Sequence, residues 1–353
     1  MKKFLFYIGH PAHYHNVKWV SKLLKEKGHI VLWVVREKDV LFDLVSEVKQ
    51  EYKITYIKET SPNSKWDRIK RILNRERLMF QLMRKEKPDL AIGTDLVITH
   101  IGKLLNIPSI ILNEDDAEAV PLFAKYGIKY CTTNLAPDSC SAGKYEYKTI
   151  HYPSYQELAY LHPKYFQPDK SMVKQLFDGK ENYFILRFSS LNAHHDNGVE
   201  GINDERALQL IQILEPQGKV WITSERPLSK ALELYRIQIP VQEMHHALNF
   251  AKMYIGDSQT MAAEAAVLGT PSLRFNDFVG KLGYLEELEH KYQLTYGFKT
   301  NEFEQLINRI KNLLIEPNLA EVWEKRKEAM LIDCIDVTDF WYHLFLDNQI
   351  LKK

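Results

Sequence analysis

The residues of this chain that could do chemistry gather where short apolar runs end. The clearest case is "AKMYIGDSQTMAAEAAVLGTPSLRF", Ala251 to Phe275, which reads as an apolar run, a polar turn, a small-residue helix and a second apolar run. The helix opens on Asp257, Ser258, Gln259 and Thr260, carries one carboxylate at Glu264 and is otherwise largely alanine. A helix N-terminus presents unpaired N–H groups and a partial positive charge, which suits a phosphate or diphosphate. At about 3.6 residues per turn and a rise of about 1.5 Å, Thr260 and Glu264 share a face roughly 6 Å apart along the axis. That is about the distance from a nucleotide's diphosphate to its ribose, so Glu264 is placed to accept both ribose hydroxyls. The alanines at 262, 263, 265 and 266 permit close approach, and Gly269 stops the helix before Pro271. The same residues also describe an Asp-capped packing helix with an exposed Glu.

Other strand ends carry further candidates. "GHPAHYHN" sets His10, His13 and His15 just past the first apolar run, and His10 is the one best placed to face a substrate; capping or packing is the alternative. The H-x-x-H-x-H spacing invites a metal reading, but His13 and His15 fall where a helix begins and nothing makes the three converge. "IGTDLVITH" puts Asp95 at one strand end and "ILNEDDAEAV" puts Glu114, Asp115 and Asp116 at the next. Paired carboxylates at one edge can separate their pKa values into a base and an acid; helix capping is the structural alternative. Arg187, inside a strand, needs an anionic partner, structural or substrate. His194, His195 and Asp196 follow that strand after a loop, where a histidine can contact a diphosphate or move a proton; a surface turn is the other reading.

These positions presuppose particular elements. Apolar strands at Lys3–Ile8, His29–Val35, Lys53–Ile57, Asp89–Gly93 and Ser109–Leu112 alternate with helices at His15–Lys27, Val40–Val48, a long basic stretch to Lys85 and Val97–Leu105, with another helix after "NEDDAEAV". Continuous apolar strands between amphipathic helices imply a parallel sheet covered on both faces. The aperiodic segment Tyr152–Lys170 reads as a hinge. Alternation then restarts with strands Tyr183–Phe188, Lys219–Thr223, Ile237–Val241, Met253–Ile255 and Ser272–Phe275, and helices Asp204–Leu214, Leu228–Leu234 and Met244–Phe250 between them. The expected fold class is α/β with two doubly wound Rossmann-like domains, 1–165 and 166–353, the last helix packing back on the first.

Composition narrows the partners. A formal net charge of +1 gives no basic excess for nucleic acid. Local basicity is confined to "KWDRIKRILNRERLMFQLMRK", Lys65–Lys85, a solvated helix face or a peripheral contact with anionic lipid. Three cysteines, with no C-x-x-C, argue for a reducing compartment. The first apolar run is too short for a signal sequence, and no stretch approaches the roughly 18 apolar residues of a membrane span. The expectation is a cytoplasmic protein, with the inner face of the membrane as the place of any lipid contact.

"GDSQTMAAEAAVLGTP" resembles the D-S-G-G-x-x-x-E-A-x-x-x-G-x-P signature of UDP-N-acetylglucosamine 2-epimerase and its GT-B relatives, with Gln259 and Thr260 in place of the two glycines. The wider pattern, "IGHPAHYHN", "RFSSLNAHHDNG", "SER" and the run from Gly256 to Tyr292, is similar to a family of predicted glycosyltransferases known as domain of unknown function 354. The resemblance implies a GT-B architecture of two such domains facing across a cleft. It implies that the small-residue turn, Ser258 to Thr260, holds a nucleoside diphosphate and that Glu264 holds the ribose. Asp95 and Glu114 loosely match acids at two strand ends of the epimerases, and His194 and His195 stand where those carry a G-H-R-x-E-N motif.

Together these lead to a nucleotide-sugar-dependent glycosyltransferase, with His10, Asp95, Glu114 and His194 as candidate catalytic groups. Arg187, His195, Ser258, Gln259, Thr260 and Glu264 are the candidate donor-binding residues. The donor is a nucleoside diphosphate sugar, UDP-linked by resemblance, and no metal or other cofactor is expected; the acceptor is a glycan or lipid-linked sugar. A UDP-sugar 2-epimerase or nucleotide-releasing hydrolase is the alternative, and a noncatalytic nucleotide-sugar-binding partner a third.

Overall fold

In the computed structural model of the protein, residues 1–353 are described except 38, 47, 59–63, 190–200 and 352–353; for 39, 65, 68, 348 and 351 only the backbone is described. The chain divides into two compact units, Met1–Tyr165 with Ile335–Lys353, and Phe166–Cys334.

The first unit opens with β1 (Lys3–Ile8), α1 (Pro11–Glu26), β2 (Ile30–Glu37), α2 (Asp39–Ser46), β3 (Lys53–Lys58), α3 (Lys65–Glu86), β4 (Leu90–Gly93), α4 (Leu96–Leu105) and β5 (Ser109–Leu112). A three-residue helix, α5 (Pro121–Phe123), then runs into a π-turn at Ala124–Ile128, followed by β6 (Thr133–Pro137), β7 (Thr149–Tyr152) and α6 (Leu158–Leu161). All seven strands are parallel, in the order β3-β2-β1-β4-β5-β6-β7. The interior strand β1 is covered on both faces: Phe4 through Ile8 have no solvent exposure.

Two expectations about this unit are corrected, and two of its strands were not foreseen. The first helix begins at Pro11 rather than His15, because the His10 side chain caps it and Pro11 suits the first turn. Strands β6 and β7 extend the sheet beyond Ser109–Leu112. Their sequences, "TNLAP" and "TIHY", are short and carry polar groups, and buried Asn134 is tolerated because its amide donates to Thr149 Oγ1 at 3.2 Å. Residues 154–161, expected within a hinge, are buried in this unit.

The second unit contains β8 (Tyr183–Phe188), α7 (Asp204–Leu214), β9 (Lys219–Ser224), α8 (Lys230–Glu233), α9 (Met244–Phe250), β10 (Met253–Gly256), α10 (Gln259–Leu268), β11 (Ser272–Phe275), α11 (Gly283–His290), β12 (Thr295–Phe298), α12 (Phe303–Leu314) and α13 (Leu319–Asp333). Its five strands are parallel, in the order β12-β11-β10-β8-β9. The strand expected at Ile237–Val241 does not form: a single bridge joins Arg236 to Ile222, and Pro240, lacking an N–H, cannot extend a ladder. Strand β12 closes the other edge and was not foreseen. Beyond it, α14 (Val337–Leu346) and α15 (Asn348–Leu351) belong to the first unit. There Thr338 donates to the Ala159 carbonyl at 3.0 Å and the Phe345 ring lies 6.2 Å from Phe6.

Gly256, the last residue of β10, is required by its surroundings. A Cβ there would lie 2.6 Å from the Tyr254 hydroxyl and 2.8 Å from the Arg187 carbonyl. Gly256→Ala is expected to lower stability in urea unfolding by about 1–3 kcal/mol, the usual cost of overpacking; an unchanged midpoint would show that the neighbouring strand moves freely.

Candidate functional site

The turn after β10 is built before any ligand arrives. Asp257 is buried; its Oδ1 accepts the Ser189 N–H at 2.6 Å and its carbonyl accepts from Asn276 Nδ2 at 3.0 Å. Burial raises the Asp257 pKa, against the Ser189 hydrogen bonds and the guanidiniums of Arg226 and Arg187, which lower it. Its Oδ2 is buried with no hydrogen-bond partner among the described residues. Ser258, not Asp257, caps α10: its Oγ accepts the Met261 N–H at 3.4 Å, while its carbonyl accepts the Tyr254 hydroxyl at 3.3 Å. Gln259 and Thr260 follow as the first two helical residues, both half-buried. The helix ends at Gly269, whose φ of 84° is the left-handed conformation that glycine favours.

Glu264 is not the exposed carboxylate of the packing-helix reading. It is 6% exposed, and its Oε1 lies 3.1 Å from Nε2 of His245, itself 8% exposed, on α9. The ring of Phe166 stands edge-on to His245 at 6.1 Å. Sequence reasoning missed His245; its only signal was a pair of histidines, "MHHALNF", in a short helix ahead of the phosphate-type turn. A buried carboxylate needs hydrogen-bonding partners, and His245 is one of them.

Arg187 lies opposite Gly256 in the ladder between β8 and β10. The anion it requires is supplied within the protein by Glu225. Arg226 beside it donates to the Ile202 carbonyl and stacks over Phe188 at 5.1 Å. A second strand cation went unremarked in the sequence: Arg274 of β11 is fully buried and paired to Glu289 at 2.6 Å and Glu286 at 3.4 Å. His194 and His195 lie outside the described residues.

In the first unit, His10, Asp95 and Glu114 follow the carboxyl ends of three neighbouring strands, β1, β4 and β5. The exposed His10 caps α1, its Nδ1 accepting the Ala12 N–H at 3.3 Å. His13 accepts the Gly9 N–H at 3.3 Å, and His15 stacks on Tyr160 at 5.0 Å. Asp95 caps α4, with Oδ1 accepting the Val97 N–H at 3.0 Å and Oδ2 lying 3.5 Å from Arg75 Nη1. Glu114 caps no helix, because the next one begins only at Pro121; it is half-buried, and its carbonyl accepts the Cys140 thiol at 2.9 Å. Among the described residues, no group of three or more His, Cys, Asp or Glu side chains is placed to hold a metal.

A further acid–base pair escaped the sequence analysis. His151 Nε2 lies 2.6 Å from Glu146 Oε2 and its Nδ1 lies 3.1 Å from the Pro137 carbonyl, beside an open hollow of about 330 Å³ lined also by Asp138, Ser139, Cys140 and Ser141. Burial lowers the His151 pKa, but Glu146 and the Pro137 carbonyl outweigh it and hold the imidazole above its ordinary value.

No family model matches the chain, and no curated protein sequence matches it. Solved structures do. S. aureus MnaA, solved with UDP, superposes with a TM-score of 0.69 at 15% identity over 98% of both chains. UDP-GlcNAc 2-epimerase from Neisseria meningitidis, bound to UDP-GlcNAc, gives 0.61 at 13% identity over 92% of this chain and 94% of that one. CalG4, the calicheamicin glycosyltransferase, gives 0.55 at 13% identity over 96% of each. With two parallel-sheet Rossmann-like units in one chain, these likenesses define the fold class as two-domain GT-B.

Two outcomes follow from this geometry. His245→Ala removes a partner from the buried Glu264 carboxylate, and urea unfolding should show a loss of about 1–3 kcal/mol; a smaller loss than that of an exposed-histidine control would mean the pair contributes nothing. For His151, a raised folded pKa means its stabilising contribution is fully present below the unfolded value and fades as pH rises through the folded one. An NMR titration of the ring should therefore give a midpoint above about 6.5, falling in Glu146→Gln.

Proposed function

We propose that the chain is a nucleotide-sugar-dependent glycosyltransferase of the family known as domain of unknown function 354, its second unit holding the donor and its first the acceptor. The observation that carries this reading is the prebuilt turn from Asp257 to Thr260 at the carboxyl end of β10, with Glu264 one helical turn behind it. The diphosphate meets the free N–H groups at the start of α10 and the hydroxyls of Ser258 and Thr260, with the Gln259 amide beside them. Glu264, steadied by His245, accepts the ribose hydroxyls. The likeness to MnaA solved with UDP, over nearly the whole of both chains, supports a uridine nucleotide as ligand.

In transfer, negative charge develops on the leaving diphosphate, and the helix N-terminus is oriented to meet it, so no metal or other cofactor is required. Arg187, already paired with Glu225, and His195 are the further donor-side candidates of this reading. Asp95, Glu114 or His10 deprotonates the hydroxyl of a glycan or lipid-linked acceptor, with His194 available for proton transfer. The acceptor reaction is set in the cytoplasm, where nucleotide sugars are the activated form.

The likeness to the meningococcal UDP-GlcNAc 2-epimerase supports a second reading, epimerisation of the sugar itself. Transfer is favoured because Gln259 and Thr260 replace the glycine pair of the epimerase signature while the ribose-holding Glu264 is kept. Calorimetry with UDP should show Glu264→Ala binding more weakly by about 1–3 kcal/mol, as for loss of a charged hydrogen-bond acceptor; equal affinity would remove the ribose assignment. With UDP-GlcNAc in deuterated buffer and no acceptor, the sugar C2 should stay protonated by NMR. Exchange at C2 that disappears in Asp95→Asn would replace transfer with epimerisation.

A further inference from the structure

Helix α3 is two different helices end to end. Its second half is core: Met79 and Met83 are fully buried against Ile57, Val97, Ile98 and Ile101. Its first half turns apolar residues outward. Trp66 is 73% exposed and Leu73 63%, with Ile69 and Ile72 about half exposed. Trp66, Ile69 and Leu73, spaced i, i+3, i+7, form a single stripe, and at about 100° per residue the exposed Lys70 and Arg77 flank it. A solvated face would carry the charges without the stripe.

The surface continues past α3. His100 of α4 joins two elements, its Nδ1 lying 3.0 Å from Glu76 of α3 and its Nε2 2.7 Å from the carbonyl of Tyr126. That brings the exposed Leu122 and Tyr126 to the same side of the sheet as α3, together with Lys103, Lys125 and Lys129. The acids of α3 only partly offset these bases. Glu86 is paired with Lys3 and Lys53 and Glu76 is bonded to His100, while Asp67, hydrogen-bonded to Ser64 at the N-terminal cap, keeps its charge. Glu118 is the exposed acid of the adjoining loop. A chain with a net charge of only +1 thus concentrates outward positive charge around its most exposed tryptophan.

We propose that this face of the first unit, centred on Trp66, Ile69 and Leu73 with Lys70 and Arg77 on the same helix and Lys103, Lys125 and Lys129 further along the same side, docks on the surface of an anionic lipid bilayer. Apolar side chains enter the headgroup boundary while lysines and arginines meet lipid phosphates, the arrangement of an interfacial rather than a spanning helix. Among the described residues no helix is long and apolar enough to cross a membrane. A second copy of the chain is a poorer occupant, because a twofold contact sets the patch against itself and opposes like charges. The docking is independent of which reaction the protein catalyses.

The test is flotation of the full chain with vesicles of phosphatidylcholine alone or with 30% phosphatidylglycerol, in about 0.1 M salt, where charges are screened beyond about 10 Å. Recovery with the anionic vesicles, a blue shift in tryptophan emission and loss of recovery in about 0.5 M salt are expected. Trp66→Glu with Leu73→Glu should cut partitioning at least tenfold, and Lys70→Glu with Arg77→Glu should do the same, both at an unchanged thermal midpoint. Equal recovery with neutral vesicles, no recovery with either, or unaltered partitioning of both variants overturns the proposal. A dimer in sedimentation velocity that Trp66→Glu dissociates would assign the face to a second copy instead.

Discussion

Both sheets are parallel and covered on both faces, and that burial decides where everything else can be. A strand such as β1, with Phe4 to Ile8 inaccessible, has no room for a reactive or charged side chain along its length. Polar groups are therefore displaced to the carboxyl ends, where chains turn into helices whose N–H groups are unpaired. His10 after β1, Asp95 after β4, Glu114 after β5 and Asp257 after β10 all obey this rule. The exceptions show the cost: Arg187 inside β8 is paired with Glu225, and the fully buried Arg274 inside β11 with two carboxylates of α11.

What could be read from the sequence follows the same division. Long apolar runs and helices with an unambiguous period were legible, which is why β1, β5, β8 and β11 appear at the expected residues. The losses have local causes. Strands β6, β7 and β12 are four or five residues long, and β6 and β7 hold Asn134, Pro137 and His151, so they lack the signal that burial usually writes. Residues 237–241 fail in the opposite sense: "IQIPV" has the apolar character of a strand, but its proline prevents pairing. Site residues on a helix N-terminus were visible because cap and carboxylate, Ser258 and Glu264, are less than two turns apart in sequence. His245 was not, because its relation to Glu264 spans 19 residues and exists only once α9 and α10 pack.

That packing explains the alanines. For α9 and α10 to bring His245 and Glu264 to 3.1 Å, the helix must lie close to its neighbours, and Ala262, Ala263, Ala265 and Ala266 are all fully buried. Ser272 on the next strand donates to the Ala262 carbonyl at 2.8 Å, fixing the helix along its axis as well. A carboxylate in such surroundings has little conformational freedom to lose when a ligand hydroxyl arrives, so its geometry is prepared in advance. The same logic applies to Asp257, whose carboxylate and carbonyl are tied to Ser189 and Asn276 on adjoining segments. A turn so constrained is suited to presenting N–H groups to an anion and poorly suited to adapting around a different ligand.

Helix α3 connects the two kinds of surface in the first unit. Midway along it, Arg75 reaches the cap of α4 at Asp95, and the next residue, Glu76, engages His100. Its outer turns carry Trp66, Ile69 and Leu73. The exposed turns therefore connect to Asp95 through a continuous helix and a charged pair rather than through a loop. The His100 imidazole, raised in pKa by its hydrogen bond to Glu76 although burial opposes it, holds this connection as a charge-assisted contact that weakens as pH rises through its folded value. The outer face and the candidate base at the sheet edge are thus joined by one helix and two side-chain contacts, Arg75 with Asp95 and Glu76 with His100.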